Sequence, residues 1–336
     1  MKICYGRSNY LSHRREAGVY RDLIGSRHTL VRDPSAADVV ILHLEPRDYS
    51  ALYQANPMLM KKHVIAYCVW EASELPDVYK QSLSHVQEIW TCSSYCAEIF
   101  KRYHRNVACI PHVIERDKSF SDADLAYVKR AIEYDPKCKY FLTIALRANR
   151  RKNLDALLRA FQRGQRNMPG SRLIIKTTRA DSIPSHSIPY AIWLPDFMTH
   201  GQLNALYHLA SAYVSTHHSE GWGLTMSDAM ALEKPVIATG YSGNLQFMNA
   251  NNSFLVEYTE EHIHKEDCCD LFHNGMKWAY PVEEDIQRKL LLFSECMETR
   301  SVAERIQRAS REIQSFNRET VRSLILKRLD NVLASL

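Results

Sequence analysis

Short apolar runs closed by turn residues recur through the first third of the chain: "KICYG" from residue 2, "ADVVILHL" from 37, "HVIAYCVW" from 63, "EIWTCS" from 88 and "VACIPHV" from 107. Runs of this length, apolar on both faces, predict buried parallel strands. Helical stretches such as "SSYCAEIFKRYH" from residue 93 separate them. Strands alternating with helices predict a parallel sheet covered by crossover helices. From about Ile114 the pattern gives way to "ERDKSFSDADLAYVKRAIEYDPKCK", charged and without a strand signal, which reads as a linker. Alternation then resumes with "YFLTIAL", "SRLIIKTT", "AIWLP", "SAYVSTH", "KPVIAT" and "SFLVE". Between the first two of these, Leu154, Leu157, Leu158 and Phe161 recur at helical spacing. "DLFHNGMKWAY", from residue 270, reads as a further helix.

The pattern therefore predicts an α/β protein of two doubly wound, Rossmann-like domains facing across a cleft. Residues 1–136 form the first domain, with 114–136 as its linker, and residues 137–314 the second. Residues 315–336 form a C-terminal helix whose stripe of Val321, Ile325, Leu329, Val332 and Leu336 packs back on the body, toward the first domain. Ligands of open parallel sheets bind beyond the carboxyl ends of the strands, so the loops there are searched for chemistry.

Composition narrows the class. The chain has 336 residues, 46% apolar and 24% charged, with a formal net charge of +5. No apolar run approaches the roughly 18 residues of a membrane span, and "MKICYGRSNY" lacks the apolar core of a signal peptide. These features point to a cytoplasmic protein that tolerates peripheral contact with the inner face of a membrane. Basic residues are interspersed with acids, which argues against nucleic acid as a partner. Nine cysteines without a CxxC spacing point to reduced thiols. His262, His264, Cys268, Cys269 and His273 lie close together, but their spacing fits no usual metal-ligand pattern.

The chemistry concentrates in "HHSEGWGLTMSDAMALEKPVIATGYSGN", residues 217–244. A strand is expected to end near Thr216 and a helix to begin near Leu224. Gly221 and Gly223 let a ligand approach the main chain. The amides at the helix start and the positive dipole end suit a phosphate. Glu220 precedes that helix and Asp228 is expected in its first turn, so hydroxyls flanking a diphosphate would satisfy both acids. A nucleotide sugar has that form. The bland alternative is a pair of surface acids around a glycine-rich helix start, Asp228 being favoured there by the dipole.

This segment resembles the carboxylate–x7–carboxylate signature of the retaining glycosyltransferases of family 4, which have the GT-B fold. Resemblance extends to "YCVWEASELPDVYKQSLSHVQEIWTCSSYCAEIF" with "VACIPHV", to "LRANRRKNLDALLRAF" and to "LIIKTT". It implies transfer of a hexose from a nucleotide-diphosphate sugar to a hydroxyl of a glycan, lipid-linked or other acceptor, with retention at the anomeric carbon. It further implies that Glu220 meets the donor sugar and Asp228 the ribose. The amides of Gly221, Trp222, Gly223, Leu224 and Thr225 would bind sugar and diphosphate. Arg147 and Lys152, an Arg-x4-Lys pair, would neutralise the leaving diphosphate, where fixed cations help most. No cofactor and no metal are expected.

Three departures from the family pattern matter. Asp228 stands where the family usually has Glu, one methylene longer. The N-terminal glycine-rich loop is reduced to Gly6 and Gly18. Many relatives carry a histidine where this chain reads "VWEAS", leaving Glu71 to face the reacting centre, with a helix-capping acid as the alternative. Lys176 ends an apolar strand at its carboxyl end and is a candidate ligand contact. For Arg150 and Arg151 the choice lies between ligand contact and solvated helix-start residues, and His217 and His218 read as a solvated pair or a contact to the sugar. His112 reads as structural. A glycoside hydrolase using the two carboxylates, or an inactive sugar-nucleotide-binding scaffold, remain the alternative readings.

Overall fold

The computed structural model describes residues 1–7, 11–181, 188 and 190–335. The chain divides into two compact units, one made of residues 1–115 and 315–336, the other of residues 116–314. In the first, six strands form one parallel sheet: β1 (Lys2–Arg7), β2 (Thr29–Val31), β3 (Val39–His43), β4 (His63–Tyr67), β5 (Glu88–Thr91) and β6 (Val107–Cys109). Their spatial order is β2-β1-β3-β4-β5-β6. Helices α1 (Leu11–Gly25), α2 (Tyr49–Ala55), α3 (Asp77–Leu83) and α4 (Ser94–Lys101) connect them. All five residues of β3 are buried, as a strand covered on both faces must be. Only β2 was not evident as an apolar run, being three residues long and half exposed.

The second unit opens with α5 (Asp122–Ala131), continues through β7 (Lys139–Ile144), α6 (Leu154–Gly164), β8 (Ser171–Lys176), β9 (Ala191–Leu194), α7 (His200–Leu209), β10 (Ala212–Ser215) and α8 (Leu224–Ala231), and ends its main sheet with β11 (Val236–Thr239) and β12 (Phe254–Val256). The strand order is β12-β11-β10-β7-β8-β9. Chain order therefore runs outward from β7 to one edge and from β10 to the other, which is the doubly wound order with its switch point between β7 and β10. Phe141, Leu157, Phe161, Leu173, Val214 and Ile237 belong to the buried core of this unit. Residues 116–136, expected as a linker, belong to this unit. Helix α5 starts with a Ser121–Asp124 capping box, and the Asp124 carboxylate lies near Thr199, the cap of α7.

Residues 270–280 do not form the expected helix. They lead instead into β14 (Lys277–Pro281), which forms a separate antiparallel pair with β13 (Tyr258–His262), His262 opposite Lys277. The Asn274-Gly275 step favours a turn, and Trp278 and Ala279 are buried in the returning strand. Helices α9 (Glu283–Cys296) and α10 (Arg300–Gln314) complete the unit.

The chain then returns to the first unit as α11 (Arg318–Ser335). Val321, Ile325, Leu329 and Val332 are buried along one stripe, and Leu336 lies outside the described residues. Helix α11 packs against α1. Arg328 donates to the buried Glu88 carboxylate, and the Ile114 amide donates to the Phe316 carbonyl at 2.8 Å.

Candidate functional site

The loops at the switch point of the second sheet carry the charged groups. After β7, a short 3-10 turn (Arg150–Lys152) and the left-handed Asn153 (φ 49°) lead into α6. After β10, residues 216–223 lead into α8, and Gly223, at φ 95°, caps that helix in a conformation that glycine tolerates best. The two loops are tied together: the His218 amide donates to the Arg151 carbonyl at 2.8 Å, and the Thr216 hydroxyl to the Asn153 carbonyl at 2.9 Å.

Glu220 is buried, only 6% exposed, and two cations meet its carboxylate. Lys152 Nζ donates to Oε1, and Arg151 Nη1 lies 3.2 Å from Oε2. Arg151 also donates to the Ser219 carbonyl. Burial alone would raise the Glu220 carboxyl, but Lys152 and then Arg151 outweigh it and hold the group down at about 2. It is an anion at neutral pH, fixed between two cations.

The backbone under Glu220 is clamped by the loop after β11. Its amide donates to Ser242 Oγ at 2.8 Å, and its carbonyl accepts from the Gly243 amide at 2.8 Å. Ser242 sits at φ 77°, ψ −148°, a region costly for any side chain and typical of over-determined functional loops. A Cβ on Gly243 would lie 1.9 Å from the Gly221 carbonyl oxygen, so only glycine fits there. The "SGN" end of the quoted stretch thus shapes the Glu220 loop, a role the spacing of the acids did not suggest.

His217 and His218 are not a solvated pair. His217 is wholly buried, with Ser215 Oγ 2.9 Å from Nδ1 and Asn244 Oδ1 3.1 Å from Nε2. Asn244 Nδ2 donates to the Thr239 carbonyl at 3.0 Å, which leaves Oδ1 to accept and assigns the proton of His217 to Nε2. His218 donates from Nδ1 to the Ala279 carbonyl at 2.7 Å and stacks on Trp278, ring centroids 4.9 Å apart. Burial lowers both imidazoles to about 4, so both are neutral.

The remaining candidates divide. Arg147 does not join Lys152 on Glu220: its Nε donates to Asp155 at 2.8 Å, and Asp181 accepts from its backbone amide at 2.7 Å. Arg151, weighed as a solvated residue, takes that place. Asp228 lies one turn further into α8 than expected, since no acid occupies the first turn. It is buried and accepts a hydrogen bond from Arg116, a residue no motif marked. Trp222 is core, its indole donating to Ser227 Oγ at 3.2 Å, while its neighbours Leu224 and Thr225 open α8. Tyr213 donates to Thr225 Oγ1 at 2.7 Å and fixes that side chain. Lys176 ends β8, 9% exposed, donating to the Thr177 carbonyl at 2.6 Å, and burial lowers its ammonium.

Two candidates fall in the first unit. Glu71 is half-buried in the loop after β4, beside a buried Trp70 whose indole donates to the Glu74 carbonyl. Gly6 lies within β1, where a Cβ would find ordinary 3.6 Å contact, and Gly18 lies inside α1 rather than in a loop. His112 is buried against Glu16 and Tyr20, a structural place. Among the described residues no three His, Cys, Asp or Glu side chains converge as a metal site. Within the 262–273 cluster, His264 stacks on Tyr280 and Cys268 is exposed. Among the described residues no helix is long and apolar enough to cross a membrane.

Two parallel, doubly wound six-stranded sheets are the architecture of the GT-B fold. Residues 129–267 match the family Glycosyl transferases group 1. No curated protein matches this sequence. Solved structures resemble it in fold at low identity. A glycosyltransferase from Rickettsia africae superposes with a TM-score of 0.70 at 12% identity, over 99% of this chain and 98% of that one. Anabaena HepE, in complex with UDP and glucose, gives 0.65 at 12%, over 100% of both chains. The pneumococcal O-GlcNAc transferase GtfA, in complex with UDP and GlcNAc, gives 0.60 at 16%, over 95% of this chain but only 60% of its own.

Proposed function

We propose that the protein transfers a hexose from a UDP-sugar to an acceptor hydroxyl on a glycan or lipid-linked molecule, with retention at the anomeric carbon. The observation that carries this reading is Glu220, buried as an anion between Lys152 and Arg151 directly ahead of a helix N-terminus. A carboxylate held ionised cannot serve as the proton donor that glycoside hydrolysis needs, but it accepts hydrogen bonds from sugar hydroxyls. The first-turn amides of a helix have no partner inside it and suit a diphosphate. Support for uridine comes from the HepE and GtfA complexes, which hold UDP.

In this reading Lys152 and Arg151 stabilise the negative charge that grows on the diphosphate as the glycosidic bond breaks, while Glu220 orients the sugar. Asp228 binds the ribose, and the amides of Gly221 to Thr225 bind sugar and phosphates. Lys176 contributes at the next strand end, Arg147 stiffens its loop through Asp155 and Asp181, and Glu71 serves the acceptor side. A leaving-group oxygen takes the acceptor's proton. The test is thermal stabilisation by UDP, GDP and ADP, followed by transfer from labelled UDP-hexoses to a panel of glycan and lipid acceptors. A midpoint raised by UDP alone and a product absent in Glu220→Ala support the reading. No shift with any nucleotide, or release of free sugar from a glycan, would overturn it.

A further inference from the structure

Arg116 is unusual for a residue in a charged connecting segment. Its side chain is 6% exposed and its guanidinium is held on three sides. Nη1 donates to Asp228 Oδ2, Nε donates to Asn204 Oδ1 at 3.1 Å, and the Cζ lies 5.3 Å from the centre of the Tyr207 ring. Asn204 and Tyr207 are three residues apart and so share one face of α7. The Asn204 amide is itself fixed, donating to the carbonyls of Asp117 at 2.8 Å and Ser119 at 2.9 Å. Tyr207 is fixed by its hydroxyl, which donates to the Thr225 carbonyl at 3.1 Å in the first turn of α8.

A surface ion pair needs no such frame. Two helices, α7 and α8, and the connecting segment around Asp117 and Ser119 are committed to placing one planar cation against one oxygen of Asp228. A planar guanidinium held in a frame fixes the orientation of a carboxylate in a way a mobile ammonium does not. We infer that Arg116 is a positioning residue for donor recognition: it orients Asp228 toward the vicinal hydroxyls of the nucleoside ribose. This rests on the reading of Asp228 as the ribose-binding acid. It also accounts for an aspartate at that place, because a short side chain braced by a guanidinium is a stiffer acceptor than a longer, unbraced one.

The readout is the ratio of affinities for UDP and 2′-deoxy-UDP, measured by calorimetry on the full chain. A hydrogen bond from the 2′-hydroxyl to an oriented carboxylate corresponds to about a tenfold preference for UDP. Arg116→Met is expected to reduce that ratio to about twofold, and Arg116→Lys to leave it intermediate, since lysine restores charge without the fork. Asp228→Ala is expected to abolish it. A wild-type ratio in Arg116→Met, even with a lowered melting midpoint, overturns the inference and leaves Arg116 a structural residue. A wild-type ratio in Asp228→Ala instead overturns the ribose assignment on which the inference rests. Should Arg116→Met fail to fold, Asn204→Ala, which removes one side of the frame, must lower the ratio, and an unchanged ratio there overturns the inference equally.

Discussion

Gly243→Ala isolates the geometry of the Glu220 loop without touching a charge. The added Cβ would stand 1.9 Å from the Gly221 carbonyl oxygen, 2.2 Å from its carbon and 2.7 Å from the Glu220 carbonyl oxygen. All three are backbone atoms, so no rotamer change relieves the clash. To reach an ordinary 3.4 Å contact the Gly221 carbonyl must retreat by about 1.5 Å. Misplacing a reacting arrangement by about 1 Å costs roughly a hundredfold in rate, and overpacking costs about 1–3 kcal/mol of stability. Turnover with a UDP-sugar is therefore expected to fall by roughly a hundredfold. The melting midpoint should fall by a few degrees, about 2–4 °C per kcal/mol for a unit of this size. Gly18→Ala is the control, because a Cβ there meets nothing within 4 Å and a helix-interior alanine should stabilise slightly. Paired measurements of turnover and melting on both variants decide the matter. Turnover of Gly243→Ala within threefold of wild type would refute the view that the loop after β11 holds Glu220 in place.

Lys152→Ala and Arg151→Ala should each lower turnover more than UDP affinity, whereas Arg147→Ala, which breaks a contact to Asp155, should cost less than either; steady-state kinetics beside calorimetry ranks them. Glu220 has a folded value of about 2, below its ordinary 4.5, so its stabilising contribution is complete above about 4.5 and is lost as pH falls toward 2; Glu220→Gln should flatten the melting midpoint across that window. His217 and His218 are lowered to about 4, so stability should decline as pH falls from about 6.5 to 4, and His218→Phe, which keeps a ring beside Trp278, should lessen that decline. Activity should persist in excess EDTA, since Lys152, Arg151 and the start of α8 already supply positive charge for a diphosphate. Loss of turnover with an intact circular dichroism spectrum, restored by magnesium or manganese, would contradict this.

Most strands were legible because a strand buried on both faces announces itself as an apolar run, whatever surrounds it. Helix α6 was legible for a related reason, its apolar spacing surviving in sequence. The stretch from Asp270 to Tyr280 misled because its apolar residues suit either period, while the Asn274-Gly275 step breaks a helix there and its last residues pair with the distant β13. The juxtaposition of Glu220 with a basic loop was visible in outline, but not which cation reaches it. That depends on the register of the 3-10 turn at 150–152 and the left-handed Asn153, which send Arg151 and Lys152 toward Glu220 and Arg147 toward Asp155. Arg116 had no signal at all, because its partner Asp228 lies 112 residues away and the contact exists only once α7 and α8 are placed.

The first unit is discontinuous, and this bears on how the protein is made. A ribosome releases residues 1–115, then all of the second unit, before α11 emerges. Until that moment Glu88, buried at 3% exposure, lacks Arg328, and the face of α1 that α11 covers stands open to water. The second unit, encoded without interruption, can complete its core first, whereas the first must wait for the last helix of the fold. A nascent chain stalled before residue 315 would therefore carry one finished domain and one unsealed one, a species that chaperones and proteases would recognise by its exposed apolar helix face.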